Sequence, residues 1–151
     1  MIVEEIQGNI LDTTVDVIAH GVNCQGAMGS GVAKVLYTKW PEIKKEYHKR
    51  YDRKLEAGWK PKDFLGYVNI AHTNDNKEIL NCYTQLKYGY DGKKYISYDA
   101  LYDVFSAISK KYKEVAIPKI GCGLAGGDWE IVKAIINSAT GNHCKVYVYY
   151  L

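Results

Sequence analysis

The side chains best equipped for chemistry gather between His20 and Val32, which read His-Gly-Val-Asn-Cys-Gln-Gly-Ala-Met-Gly-Ser-Gly-Val. An imidazole near its ordinary pKa suits proton transfer at neutral pH. The glycines that follow let backbone come close to a ligand, and the N–H groups opening the next helix attract an anion. A second glycine-rich stretch, Ile117 to Trp129, carries Gly121, Cys122, Gly123 and Leu124 and closes on Asp128. The first stretch has the spacing neither of a P-loop nor of Gly-x-Gly-x-x-Gly. Glycine turns also serve tight connections alone. Two of them at one sheet edge would wrap a diphosphate from opposite sides, which a single phosphate does not require.

Other reactive groups offer less. Cys24 and Cys122 adjoin the two stretches, but neither has a His or Lys beside it in sequence, and both read as packing residues. His20, His48, His72 and His143 show no ligand spacing among themselves or with the cysteines, so no metal and no cofactor is expected. A histidine ending a strand also has a plain structural reading, and Asp128 fits a helix N-cap as well as it fits chemistry.

Strands must lead into these turns and helices must follow them. Ile2 to Ile6 and Val15 to Ala19 read as strands, the latter ending at His20. Val32, Val35 and Leu36 start a helix that stops before Pro41; Ile43, Tyr47, Tyr51 and Leu55 give the next helix a packing stripe that ends at Gly58. The charged residues on its other side read as a solvent face. Tyr67 to Ala71 and Glu78 to Tyr83 form a hairpin across Asn74 to Lys77, and residues 88–92 read as a loop. Tyr98, Leu101, Tyr102, Phe105, Ile108 and Tyr112 mark a long amphipathic helix. Glu114 to Ile117 is a buried strand, Trp129 to Ala139 a helix and Lys145 to Tyr149 the closing strand. This alternation predicts a mixed sheet with helices on both faces, with ligands beyond the carboxyl ends of the strands.

A chain of 151 residues with 47% apolar residues supports one domain, 1–151. Its 20 Lys and Arg against 17 Asp and Glu leave +3, too little to hold nucleic acid non-specifically unless the charges cluster on one face. Scattered cysteines and no signal sequence suggest a cytoplasmic setting. No apolar run approaches the ~20 residues that cross a bilayer.

Taken in order, Gly8-Asn9-Ile10, Asn23 to Ala33 and Ile117 to Trp129 resemble the ligand motifs of the macrodomain family of ADP-ribose-binding modules, over essentially the whole chain. Asn81-Cys82-Tyr83-Thr84-Gln85 and Tyr98-Asp99-Ala100-Leu101 resemble its branch of ADP-ribose 1''-phosphate phosphatases and terminal ADP-ribose protein glycohydrolases. The resemblance implies an α/β fold, a three-layer α/β/α macrodomain with a mixed, mostly parallel central sheet. It places Asn9 and Ile10 at the adenine, where the family usually has an acidic residue; an amide carbonyl accepts the same bond without charge assistance. It sets Asn23 at the distal ribose, Gly29, Ser30, Gly31 and Val32 along the diphosphate, and Gly121, Cys122, Gly123 and Leu124 opposite. Thr84 and Gln85 complete the ligand set. His20 matches a histidine of the phosphatase-like branch, and Asp128 is placed to act on water or orient the distal ribose. The glycohydrolase lysine nucleophile matches Gln85 and a neighbouring aspartate matches Ala125, so the lysine-adduct route is disfavoured, although Lys87 lies close in sequence.

The implied function is hydrolysis of ADP-ribose 1''-phosphate to ADP-ribose and phosphate, with water as nucleophile and His20, Asn23 and Asp128 around the distal phosphate. The rivals are a hydrolase removing ADP-ribose from modified protein or nucleic acid, and a reader that binds ADP-ribose without turnover. The expected ligand is ADP-ribose or its 1''-phosphate. A monomer is expected, with no membrane partner and nucleic acid entering only as an ADP-ribosylated substrate. Composition does not choose which of the 14 tyrosines stacks on the base.

Overall fold

The computed structural model describes residues 1–28, 31–87, 94–123 and 125–151. Gly29, Ser30 and Leu124 of the expected ligand set lie outside them, as does the loop expected at 88–92. Six strands make one sheet: β1 (Ile2–Gln7), β2 (Val17–Asn23), β3 (Val68–His72), β4 (Glu78–Gln85), β5 (Glu114–Pro118) and β6 (Lys145–Tyr150), in the order β1-β6-β5-β2-β4-β3. Neighbours run parallel except in the β3–β4 hairpin, where Asn76 takes the left-handed conformation that its short amide tolerates.

Successive strand residues point to opposite faces, and this alternation sorts the core. Ile18 and Ile79 pack with Leu36 of α1 (Gly31–Lys39), Ile43 of α2 (Pro41–Glu56) and Trp40 between the two helices. Ala19, Leu80 and Cys82 pack with Leu101, Phe105, Val132 and Ile136 of α3 (Tyr98–Lys111) and α4 (Trp129–Thr140). The result is the expected three-layer α/β/α sandwich. Two residues of the expected stripes fall outside it: Leu55 is 37% exposed and Tyr102 45%. Leu55 is in the last turn of α2, and the face of α3 is carried instead by Ala100, Leu101, Val104, Phe105 and Ile108.

Two departures shape the site. β2 does not stop at His20 but continues through Asn23, because Gly21 and Val22 pair with Cys82 and Tyr83 of β4 and, after a shift of register, Asn23 pairs with Gln85. On the α1–α2 face, His20, Asn81 and Asn69 then stand side by side across β2, β4 and β3. This polar row lies between two apolar clusters, one around Ile18, Ile79 and Ala71 and one around Val22 and Tyr83. On the other side, β2 and β5 share the single registered pair Ile18 and Ala116. Beyond that pair β2 leads to α1 on one face and β5 to α4 on the other, so the crevice opens between the two glycine turns.

Candidate functional site

The first turn is built around Asn23. Its Oδ1 accepts from the backbone N–H of Gln25 (3.0 Å) and Ala27 (3.3 Å), while Nδ2 donates to the Ala27 carbonyl (3.0 Å). The carboxamide fills a nest of backbone donors that would otherwise attract an anion, and so fixes the loop. From the other side α2 holds the loop's carbonyls: Tyr47 donates to Asn23 (3.1 Å), Tyr51 to Cys24 (2.6 Å) and His48 Nε2 to Gly26 (3.0 Å). Burial pushes the Tyr47 and Tyr51 phenols up, keeping them protonated donors at neutral pH. Gly26 is required beneath Tyr51: at φ +74 a Cβ there would meet the ring at 2.8 Å.

These three α2 residues escaped the sequence reading, which took Tyr47 and Tyr51 as packing positions. The signal was present in their hydroxyls, because a buried phenol needs an acceptor. Tyr51→Phe removes one such bond at a cost of about 1 kcal/mol. It is expected to weaken any ligand held by the first loop several-fold in calorimetric titration, whereas the exposed Tyr102→Phe leaves affinity unchanged.

The second turn folds back on itself through Gly127 N–H to Gly121 O (2.7 Å) and Gly126 N–H to Gly123 O (3.1 Å). The segment before α3 braces it, since the Ala125 carbonyl accepts from Tyr95 (2.7 Å) and Ile96 (3.2 Å). The Ile96 side chain lies directly under the turn: a Cβ on Gly121, which sits at φ +77, would fall 1.9 Å from its Cδ1.

Between the turns and the ends of β5 and β6 runs a cleft of about 430 Å³. Asn9, Ile10, Val32, Cys122 and Gly123 line it, joined by Val35, Lys119, Tyr149 and Tyr150, which sequence reasoning missed. The tyrosines arrive there because β6 lies between β1 and β5 in the sheet, an order that no local pattern encodes. Asn9 caps the short 3-10 turn after β1, its Oδ1 accepting from Leu11 N–H at 2.9 Å. The Lys119 ammonium sits 4.8 Å from the Tyr150 ring centroid and 5.7 Å from that of Trp129, both favourable cation–ring geometries.

The expected acid and base fare differently. His20 is 1% exposed and its Nε2 donates to Asn81 Oδ1 at 2.5 Å, while Asn81 Nδ2 donates to Asn69 Oδ1 at 3.1 Å. Burial lowers its pKa from 6.5 to about 4, against the raising effect of the Asn81 bond. The expectation of a near-neutral proton carrier is therefore corrected: the imidazole is uncharged at pH 7 and built into the sheet. Asp128 is exposed and N-caps α4, accepting from Glu130 N–H at 2.9 Å, while its own N–H donates to Tyr98 Oη at 3.2 Å.

Thr84 is buried against Gly21 with its hydroxyl unpartnered, and Gln85 Nε2 donates to the Lys87 carbonyl at 3.0 Å. Cys24 is buried and its thiol is pushed up to about 12 by desolvation. Cys122 packs against the core and also lines the cleft; desolvation first and Asp128 second raise its pKa, which disfavours a thiolate. Among the described residues no three His, Cys, Asp or Glu side chains converge as metal ligands do, and no helix is long and apolar enough to cross a membrane.

The family model described as Macro domain matches residues 19–136. The chain is similar to the DNA ADP-ribosyl glycohydrolase of Mycobacterium tuberculosis, 29% identical over 134 residues that cover 87% of this chain and 37% of that protein. It thus spans little more than a third of that relative's length. It is also similar to an ADP-ribose 1''-phosphate phosphatase of Debaryomyces hansenii, 24% identical over 163 residues, covering 90% and 89% of the two chains. Among solved structures, a protein of unknown function from Bacteroides thetaiotaomicron superposes with a TM-score of 0.83 at 28% identity, covering 100% of this chain and 98% of that one. The macrodomain of Mycobacterium tuberculosis DarG superposes with a TM-score of 0.77 at 25% identity, again covering 100% and 98%.

Proposed function

From the premise that this chain belongs to the Macro domain family, we propose that its cleft binds ADP-ribose and that the protein hydrolyses an ADP-ribose conjugate at the distal ribose. The observation that carries this reading is the pair of braced glycine turns flanking one crevice, with a largely apolar groove beside them. The base would lie in the groove against Asn9 and Ile10, where Tyr149 and Tyr150 offer ring faces. Gly29, Ser30, Gly31 and Val32 would follow the diphosphate on one side, and Gly121, Cys122, Gly123 and Leu124 on the other. Asn23 shapes the first turn beneath the distal ribose. Thr84 and Gln85 stand at the end of β4 beside it.

In the first reading the conjugate is ADP-ribose 1''-phosphate, and addition of water across the phosphate ester gives ADP-ribose and inorganic phosphate. Asp128 is then the carboxylate that acts on water, while the buried His20 contributes by holding β2 against β4. Backbone N–H groups of the turns stabilise the developing charge. A second reading, removal of ADP-ribose from modified nucleic acid, is favoured by the DNA-directed relative and by the charge distribution of α1 and α2. Both reactions yield free ADP-ribose.

The test supplies the purified chain with ADP-ribose 1''-phosphate and with an ADP-ribosylated oligonucleotide, and follows release of phosphate and of ADP-ribose. Asp128→Ala costs about 1 kcal/mol of stability as a lost N-cap in any case. A chemical role adds a fall in turnover larger than about tenfold, a barrier of about 1.4 kcal/mol. Binding of ADP-ribose with turnover of neither conjugate would make the protein a reader and overturn the hydrolase.

A further inference from the structure

We infer that the solvent face of α1, α2 and the 3-10 turn at Pro61–Phe64 is a docking surface for single-stranded nucleic acid. The inference deepens the second reading of the proposed function, in which a nucleic acid carries the ADP-ribose, and it rests on that reading.

Charge is sharply segregated along the chain. Residues 31–64 hold ten Lys and Arg against five Asp and Glu, a net +5, whereas the remainder holds ten against twelve, a net −2. The modest overall +3 conceals this division. A face kept charged only for solubility mixes both signs. Here Lys34, Lys39, Lys45, Lys49, Arg53, Lys60 and Lys62 are all exposed. On α2, Lys45, Lys49 and Arg53 recur every fourth residue and so form a row about 6 Å apart. Like charges at that spacing repel and weaken a helix. A phosphate backbone would neutralise the row.

Aromatic rings are interleaved with the cations. The Lys44 ammonium lies 4.3 Å from the Tyr37 ring centroid, and that of Lys54 lies 4.2 Å from Trp59 and 5.0 Å from Tyr67. Cations beside half-buried rings are the combination that holds unpaired bases and their backbone together. The surface is also joined to the site. The inner side of α2 carries Tyr47, His48 and Tyr51, which hold the first ligand turn. A strand on the outer side therefore lies about one helix diameter, roughly 10 Å, from that turn.

The experiment measures binding of an unmodified single-stranded oligonucleotide to the full chain by fluorescence anisotropy, at about 50 mM and about 200 mM salt. The wild type is compared with the triple variant Lys45→Glu, Lys49→Glu, Arg53→Glu. A control makes the same charge change on the opposite layer with Lys110→Glu, Lys111→Glu, Lys113→Glu. Calorimetry with free ADP-ribose accompanies each protein. The expected result is binding that weakens with salt and falls at least about tenfold in the α2 variant. Its salt slope drops by about 2, since each lost phosphate contact removes about 0.7. The control retains most of the binding, and both variants bind ADP-ribose as the wild type does.

Absence of oligonucleotide binding, or an equal loss in both variants, would overturn the docking surface while ADP-ribose binding left the proposed function standing. Oligonucleotide binding without ADP-ribose binding would do the reverse, upholding the surface and removing the proposed function.

Discussion

Gly127→Ala is expected to unseat the second turn and weaken ADP-ribose binding by at least about tenfold, a loss of about 1.4 kcal/mol. A Cβ at this position would stand 2.6 Å from the Gly121 carbonyl oxygen and 3.1 Å from Ile96 Cγ2. The first neighbour is backbone and cannot swing aside. The same carbonyl accepts the Gly127 N–H at 2.7 Å, so relieving the clash breaks the bond that closes the turn. Forcing a methyl group into a packed site costs about 1–3 kcal/mol of stability. Gly123→Ala supplies the contrast. Nothing lies within 4 Å of its Cβ, so stability should stay within about 0.5 kcal/mol of wild type. Gly123 lines the cleft, however, and its added methyl should still reduce affinity. Thermal melts and titrations of the two variants separate a turn that fails to form from a cleft that is merely narrowed.

Acid should destabilise the protein through His20. The group binds a proton in the unfolded chain below its ordinary pKa of 6.5 but in the folded protein only below about 4. Within that window the unfolded state holds more protons, so stability falls as pH falls. The neutral imidazole's contribution is fully present above pH 6.5 and is lost progressively towards pH 4. At about 1.4 kcal/mol per pH unit the loss is about 3 kcal/mol. His20→Gln keeps a donor for Asn81 but cannot titrate. Denaturant unfolding should show this variant less stable than wild type at pH 7, with the difference shrinking by about 3 kcal/mol by pH 4. A difference independent of pH would contradict the buried neutral state.

How legible these features were depends on whether their causes are local. The helix α3, the Asp128 N-cap and the Asn74–Lys77 hairpin rest on residues within a few positions of one another, and each forms where its local pattern placed it, although Tyr102 of the α3 stripe faces solvent. The two glycine turns were legible as turns for the same reason. What lay beyond reach depended on partners distant in sequence. The extension of β2 through Asn23 comes from pairing with β4, and the presence of Tyr149 and Tyr150 in the cleft comes from the place of β6 in the sheet. His20 followed a buried apolar run and opened a motif rich in loop residues, so chain order alone did not distinguish the cleft from the sheet interior. Its burial follows from Asn81 across the ladder and Asn69 beyond it. Asn23 was legible as a site residue but with a different duty, because its partners are its own loop's backbone groups.

The central claim is that the cleft between the two turns holds ADP-ribose. Calorimetric titration of free ADP-ribose into the purified chain, with Gly127→Ala and Gly123→Ala alongside, tests it most directly. The account predicts saturable binding at one ligand per chain, weakened in both variants, with only Gly127→Ala also less stable. A folded wild-type chain that takes up no ADP-ribose, or two variants that bind it as tightly as wild type, would contradict it.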